Sequence, residues 1–243
     1  MTPRPLRRHR NRVDRVLPTA EIASTGLVLF GFDGPICDLF AGHGADVAFN
    51  ALKEALPGLD GLPFRVRRKA NAHSLLRAAS LRGLDQVEKA NRVLSDHERM
   101  AAAVACPTPG AEELMALLAE QGIPMAVASN NSGEAMEGYL ELHGLTPYFG
   151  RHVYGRPTDP SLMKPDPHCL RRAIAGHEFS GRALLLGDSP SDASAARSAG
   201  ADFVGCVHPS GVSPVRRLRA AGARYVVPDL EAVITAFRCR MPV

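Results

Sequence analysis

No stretch of this 243-residue chain approaches the roughly 18 consecutive apolar residues that a bilayer-crossing helix needs. The longest apolar runs, such as Ala183 to Gly187, are strand-sized, so neither a membrane protein nor a membrane partner is expected. A C-x-x-C pair is missing as well. The five cysteines (Cys37, Cys106, Cys169, Cys206 and Cys239) are scattered and odd in number, which argues against a disulfide framework and a zinc site and for reduced thiols in the cytoplasm. Cys37 reads as a small packing residue. No apolar segment follows the N-terminal arginines, so the start of the chain does not read as a secretory or twin-arginine signal. Internal repeats are absent.

What is present describes an ordinary globular protein: 45% hydrophobic and 22% charged residues, in a length that suits one domain with an insertion. The net charge of +4 is a property of one end. Residues 1–18 hold six arginines against Asp14, a local +5, which leaves −1 for everything else. Residues 1–20 are therefore read as a solvated, flexible Arg-rich arm, and nucleic acid is not expected as a partner.

From Ile123 onward, buried-strand patterns alternate with helical ones. Ile123 to Ala128 reads as a strand ending at Ser129-Asn130-Asn131, a cap-like cluster that opens a helix. A strand at His152 to Tyr154, a loop holding Met163-Lys164-Pro165, and the apolar strand Ala183 to Leu186 follow. After Gly187-Asp188-Ser189-Pro190 comes another helix, then strands at Phe203 to Cys206 and Arg224 to Val227. Continuous apolar strands separated by helices imply an α/β fold, a doubly wound parallel sheet covered on both faces. Residues 41–107 differ. They contain no strand pattern but three helical ones, Asp46 to Leu56, Ala70 to Leu81 and Asp85 to Val104. This predicts a core from residues 21–40 and 108–243, with residues 41–107 inserted as a helical cap over the strand ends.

Ligands bind such sheets at the carboxyl ends of the strands, and polar residues gather there: Asp33, Ser129, Lys164 and Asp188. Asp33, Asp188 and Asp192 are hard oxygen donors suited to magnesium. Ser129 at a helix N-terminus offers a hydroxyl to an anion, and Lys164 a compact positive charge to a phosphoryl oxygen. Taken singly, Ser129 is more often a helix cap, Lys164 a surface lysine and Asp192 a first-turn acid. Their joint placement at strand ends favours a phosphate and divalent-metal site.

Four ordered motifs resemble the haloacid dehalogenase (HAD) superfamily, in the form that carries a C1-type helical cap on a Rossmannoid core. They are Phe30-Gly31-Phe32-Asp33-Gly34-Pro35, Ser129-Asn130, Lys164-Pro165, and Gly187-Asp188-Ser189-Pro190-Ser191-Asp192. The resemblance covers residues 27 to about 230 and implies a magnesium-dependent phosphatase acting on a small phosphorylated metabolite. Its catalytic residues would be Asp33 (general acid and base), Ser129 and Lys164. Phosphate would be bound by Ser129, Asn130 and Lys164, and Mg2+ by Asp33 through its carbonyl and by Asp188, helped by Asp192. The family's attacking aspartate falls at Gly31, which has no side chain to attack phosphorus or hold a metal. Weaker Mg2+ affinity is expected. Three readings stay open: a phosphatase scaffold without its nucleophile, a non-hydrolytic enzyme that ionises or cyclises a phosphate or diphosphate, or a silent phosphate-binding regulatory protein. The run Arg65-Val66-Arg67-Arg68-Lys69 is read either as a grip for an anionic substrate or as a solvated face, and His73 and His97 as structural or exposed.

Overall fold

The structure, a computed structural model, describes residues 12–56, 71–207 and 215–240. The Arg65–Lys69 run lies outside the described residues, as does the arm up to residue 11. The described strands, in chain order, are β1 (Thr25–Phe30), β2 (Cys37–Asp38), β3 (Cys106–Pro107), β4 (Met125–Ala128), β5 (Val153–Tyr154), β6 (Arg182–Gly187), β7 (Asp202–Cys206) and β8 (Tyr225–Val227). The described helices are α1 (Thr19–Ile22), α2 (Ala45–Ala55), α3 (Ala72–Ala79), α4 (Leu84–Ala102), α5 (Ala111–Glu120), α6 (Gly133–Leu142), α7 (Thr146–Phe149), α8 (His168–Ala175), α9 (Pro190–Ala199), α10 (Val215–Ala220) and α11 (Glu231–Arg238).

Six strands form one sheet in the order β5-β4-β1-β6-β7-β8, with parallel pairing throughout. Alternate residues of β1 explain why it needs no polar face. Val28 and Phe30 enter one core with Leu114, Met136, Tyr139 and Phe149, while Leu27 and Leu29 enter a second with Leu170, Ala195 and Ala196. Phe30 meets Phe149 edge-on at 5.8 Å, and Phe32 meets Tyr139 the same way at 5.4 Å, the arrangement aromatic quadrupoles prefer. The strand order reverses at β1, where chains to β4 and β6 leave on opposite sides, and this opens the crevice in which such sheets bind ligands.

The insertion joins the core through a neck. β2 and β3 pair antiparallel, Cys37 opposite Pro107 and Asp38 opposite Cys106. Just beyond, Thr108 N–H donates to Ile36 O and its hydroxyl donates to Gly34 O at 2.6 Å. Helices α2, α3 and α4 supply the insertion's own apolar cluster, with Leu52, Leu75, Leu76, Val87 and Leu94. The 19-residue α4 runs on into the sheet's core, where Ala101 and Ala102 are buried.

Residues 12–20, assigned to the flexible arm on sequence, pack against the core. Asp14 N–H donates to Val226 O at 2.7 Å, its carboxylate accepts from Val226 N–H and pairs with Arg219, and Leu17 is buried. The backbone bond adds the segment to the exposed edge at β8, which explains why polar, Arg-rich sequence is ordered there. Among the described residues, no helix is long and apolar enough to cross a membrane.

Candidate active site

β1 ends at Phe30, and the chain turns through Gly31 to Pro35 so that Asp33 stands past the strand's carboxyl end. Two glycines in the motifs are demanded by close approach. Gly34 has φ of +100°, and a Cβ on it would meet the Asp188 side chain at 2.9 Å. A Cβ on Gly187 would meet that of Asp192 at 2.8 Å. Gly31 is different. Its amide donates to Leu186 O at 2.8 Å, and a Cβ there would meet Leu186 O at 3.4 Å and Pro35 Cδ at 3.5 Å, ordinary contacts. The surroundings leave room for a Cβ at this position.

Asp33 and Asp188 both line a cavity of about 530 Å³ that also reaches helices α2, α3 and α4, with Phe40, Phe49 and Leu94 on its apolar wall and Asp38, Asp46 and Glu98 among its acids. Asp33 Oδ1 accepts the Leu39 N–H at 3.0 Å. Burial raises its pKa to about 6, opposed by that bond and reinforced by Asp38, Glu98 and Asp192. Asp188 is also pushed well upward, by burial and by the charges of Asp192 and Asp33. Both carboxylates are thus held where their ionised forms are disfavoured.

Because Asp33 binds its proton more tightly folded than unfolded, it stabilises the fold below pH about 4, and that contribution is lost as pH rises through about 6. Asp33→Asn keeps the acceptor for Leu39 and removes the charge. In metal-free protein at pH 7.5, the variant is expected to be more stable than the parent by about 1–3 kcal/mol, with the difference vanishing near pH 4. Urea melts across that range check this; a variant less stable at pH 7.5 rules it out.

Lys164 is brought to the same strand ends by the loop before α8. Its side chain is buried: Nζ pairs with Asp192 Oδ1 at 2.5 Å and donates to Ala128 O, the last residue of β4, at 2.8 Å. Burial works against its charge, but Asp192 and Asp188 outweigh burial and hold the pKa above the usual lysine range. Asn130 clamps the Lys164 backbone from both sides, accepting its N–H at 2.8 Å and donating to its carbonyl at 3.0 Å. Asp192 has both oxygens engaged: Oδ1 by Lys164, and Oδ2 by the N–H and hydroxyl of Ser189, in a capping box that starts α9. Ser129 does not cap the next helix; Ser132 does, accepting from Ala135 N–H. Ser129 and Lys164, each 4% exposed, do not line the cavity as Asp33 and Asp188 do.

Among the described residues, no three His, Cys, Asp or Glu side chains come together as a ready ligand set. The donors present still suit Mg2+, which takes one or two carboxylates and keeps its waters, and a cation would relieve the repulsion that raises Asp33 and Asp188. Cys37 is buried, its thiol lies 3.9 Å from Phe32 O, and burial pushes its pKa up, as befits a packing residue.

Two charged residues at the site were not singled out from sequence, Glu98 and Arg156. Glu98 is fully buried, and Arg156 Nη1 donates to both of its oxygens at 2.9 and 2.8 Å. Burial disfavours the carboxylate, yet His73 and Arg156 overcome this and lower its pKa. The sequence did carry a signal: Val87, Ala90, Leu94 and Ala101 recur at helical spacing, and Glu98 falls on that apolar stripe. His73 Nε2 stands 3.8 Å from Glu98 Oε1, and His97 Nδ1 lies 3.0 Å from His43 Nε2.

Comparison with known proteins gives the chain's family. A phosphoglycolate phosphatase of Photobacterium profundum is 35% identical over 100 residues, 41% of this chain and 43% of that protein. The phosphoglycolate phosphatase (plasmid) of Cupriavidus necator is 32% identical over 174 residues, 71% of each chain. The crystal structure of a haloacid dehalogenase-like hydrolase from Bacteroides fragilis superposes with a TM-score of 0.68 at 24% identity, covering 86% of this chain and 99% of that one. Residues 25–200 match the family model for haloacid dehalogenase-like hydrolases, and the chain belongs to that family.

Proposed function

We propose that the chain binds a small phosphate monoester, of the kind the relatives named phosphoglycolate phosphatases act on, and that Gly31 closes the aspartyl-phosphate route to its hydrolysis. The observation that carries the reading is the convergence at three adjacent strand ends: Asp33 beyond β1, Ser129 and Asn130 beyond β4, and Asp188 beyond β6, with Lys164 hydrogen-bonded into β4. In this reading Lys164 and Ser129 meet the phosphoryl oxygens, and Asn130 holds the Lys164 backbone in place. Asp33, with its pKa near the working pH, is suited to hold or deliver a proton at the ester oxygen. Asp188 and the Asp33 carbonyl would hold Mg2+, with Asp192 contributing through Lys164. When bound, the ion would offset the charge of the phosphoryl group in a cavity whose described wall is rich in carboxylates.

Calorimetric titration with inorganic phosphate, 2-phosphoglycolate and a panel of small phosphate esters, with and without Mg2+, tests the reading. One ligand per chain should bind, Mg2+ should tighten it, and no ester should be consumed over hours. Lys164→Gln should remove the binding. Steady Mg2+-dependent release of phosphate by the unaltered chain would overturn the closed-route reading, and absence of any binding would overturn the ligand class.

A further inference from the structure

Glu98 sits on the buried stripe of α4, between Leu94 of the cap cluster and Ala101 of the sheet core. A lone carboxylate buried there would be very costly, and Arg156 from the loop after β5 compensates it, both side chains being 1% exposed. The carboxylate's other bonds go to the loop after β4. Asn131 Nδ2 donates to Oε1 at 3.1 Å, and the Ser132 N–H donates to Oε2 at 2.9 Å. Because an ionised carboxylate only accepts, Asn131 must turn its NH2 toward Glu98 and its carbonyl oxygen the other way. That oxygen accepts the Ser129 hydroxyl at 2.8 Å, while Asn131 N–H donates back to Ser129 Oγ at 3.2 Å.

We propose that Glu98 is a positioning residue for Ser129: from the cap it fixes the Asn131 amide, and through that amide it sets the rotamer and hydroxyl direction of Ser129. The inference rests on the ligand-contacting role given to Ser129 above. It makes the anion-binding end of β4 depend on the seating of the cap, since Glu98 travels with α4 while Asn131 and Ser129 belong to the core. Arg156 serves the same registry, its Nε and Nη2 donating to Asn91 and Ser95 of α4 at 2.7 and 2.8 Å and its Nη1 to Asn130 O at 3.1 Å. A buried ion pair that merely glued cap to core would satisfy Glu98 without aiming at the serine's neighbour.

The experiment separates these roles on the full chain. The Ser129 ¹³Cβ resonance, which reports its rotamer, and the Asn131 side-chain amide are expected to move in Glu98→Ala. Affinity for inorganic phosphate with Mg2+ should shift about tenfold in Glu98→Ala, the scale of one buried bond left unmade, and by less than about twofold when the same change is made in Asn131→Ala. Coupling of that kind is the signature of action through Asn131. An undiminished effect in the Asn131→Ala background, or a Ser129 resonance that stays put, overturns the proposal. If alanine unfolds the chain, Glu98→Asp keeps the charge that faces Arg156 but draws the carboxylate back from Asn131, so the Ser129 resonance must again move. Should the unaltered chain bind no phosphate, the function proposed above fails, and the resonances alone decide the role of Glu98.

Discussion

Gly31→Asp is expected to give this chain Mg2+-dependent phosphatase activity, raising kcat/KM toward a matched small phosphate ester by about 10³-fold or more, against the roughly 10⁶ that loss of a nucleophile costs in a preorganised protease site. Space and backbone both permit the change. The nearest atoms to a new Cβ lie at ordinary contact distance, φ is not in the left-handed region, and the Gly31 amide keeps its bond to Leu186 O. A carboxylate there would stand two residues from Asp33, on the turn that delivers the proposed acid, so attacking group and proton donor would share one rigid segment. The same carboxylate adds a third negative charge near Asp33 and Asp188, whose pKa values are already raised. The variant should therefore be less stable than its parent without metal, and gain more in Tm when Mg2+ is added. Phosphate release across an ester panel, with and without Mg2+, reads the first expectation, and thermal melts read the second. Equal turnover by both proteins would mean that Gly31 does not occupy the attacking position.

The positions that a strand delivers were legible in the sequence, because a continuous apolar run followed by a polar residue at its end carries its own explanation. Asp33, Ser129 and Asp188 follow β1, β4 and β6 in that way, and Gly31 and Pro35 are the two positions where the first motif departs from the pattern it resembles. The three helical patterns between residues 41 and 107 also correspond to described helices, α2, α3 and α4. What stayed hidden depends on contacts between distant segments. Ser129, Asn130, Asn131 and Ser132 can each cap a helix, and only the actual start of α6 assigns the cap to Ser132 and leaves Ser129 for other bonds. Asp192 read as a hard oxygen donor, whereas its bonds to Lys164 and Ser189 appear only when the loop before α8 meets α9. Glu98 and Arg156 are 58 residues apart, and nothing local to Arg156 announces a buried partner. The neck strands β2 and β3, two residues each, are too short for any periodicity to show. At the other end of the chain, Arg-rich composition hid Asp14 and Leu17, which tie residues 12–20 to the sheet edge.

The second large effect concerns the Lys164–Asp192 pair, where stability and ligand binding should come apart. Both side chains are 5% exposed and their charged atoms are 2.5 Å apart. Lys164→Met removes the cation and leaves the Asp192 carboxylate buried, still accepting from Ser189 but with no counter-charge on Oδ1. Breaking a buried pair from one side costs about 3–5 kcal/mol, a large share of the 5–15 kcal/mol that holds a domain together. Lys164→Met combined with Asp192→Asn removes both charges and keeps an acceptor for the Ser189 cap, so most of that loss should return. Neither protein should bind phosphate, because the positive charge meant for the phosphoryl oxygens is gone. Urea melts of the two variants beside the parent, each followed by phosphate titration, give both readouts. A deficit that is not repaired by Asp192→Asn would place the importance of Lys164 in the methylenes it buries and not in the charge it carries.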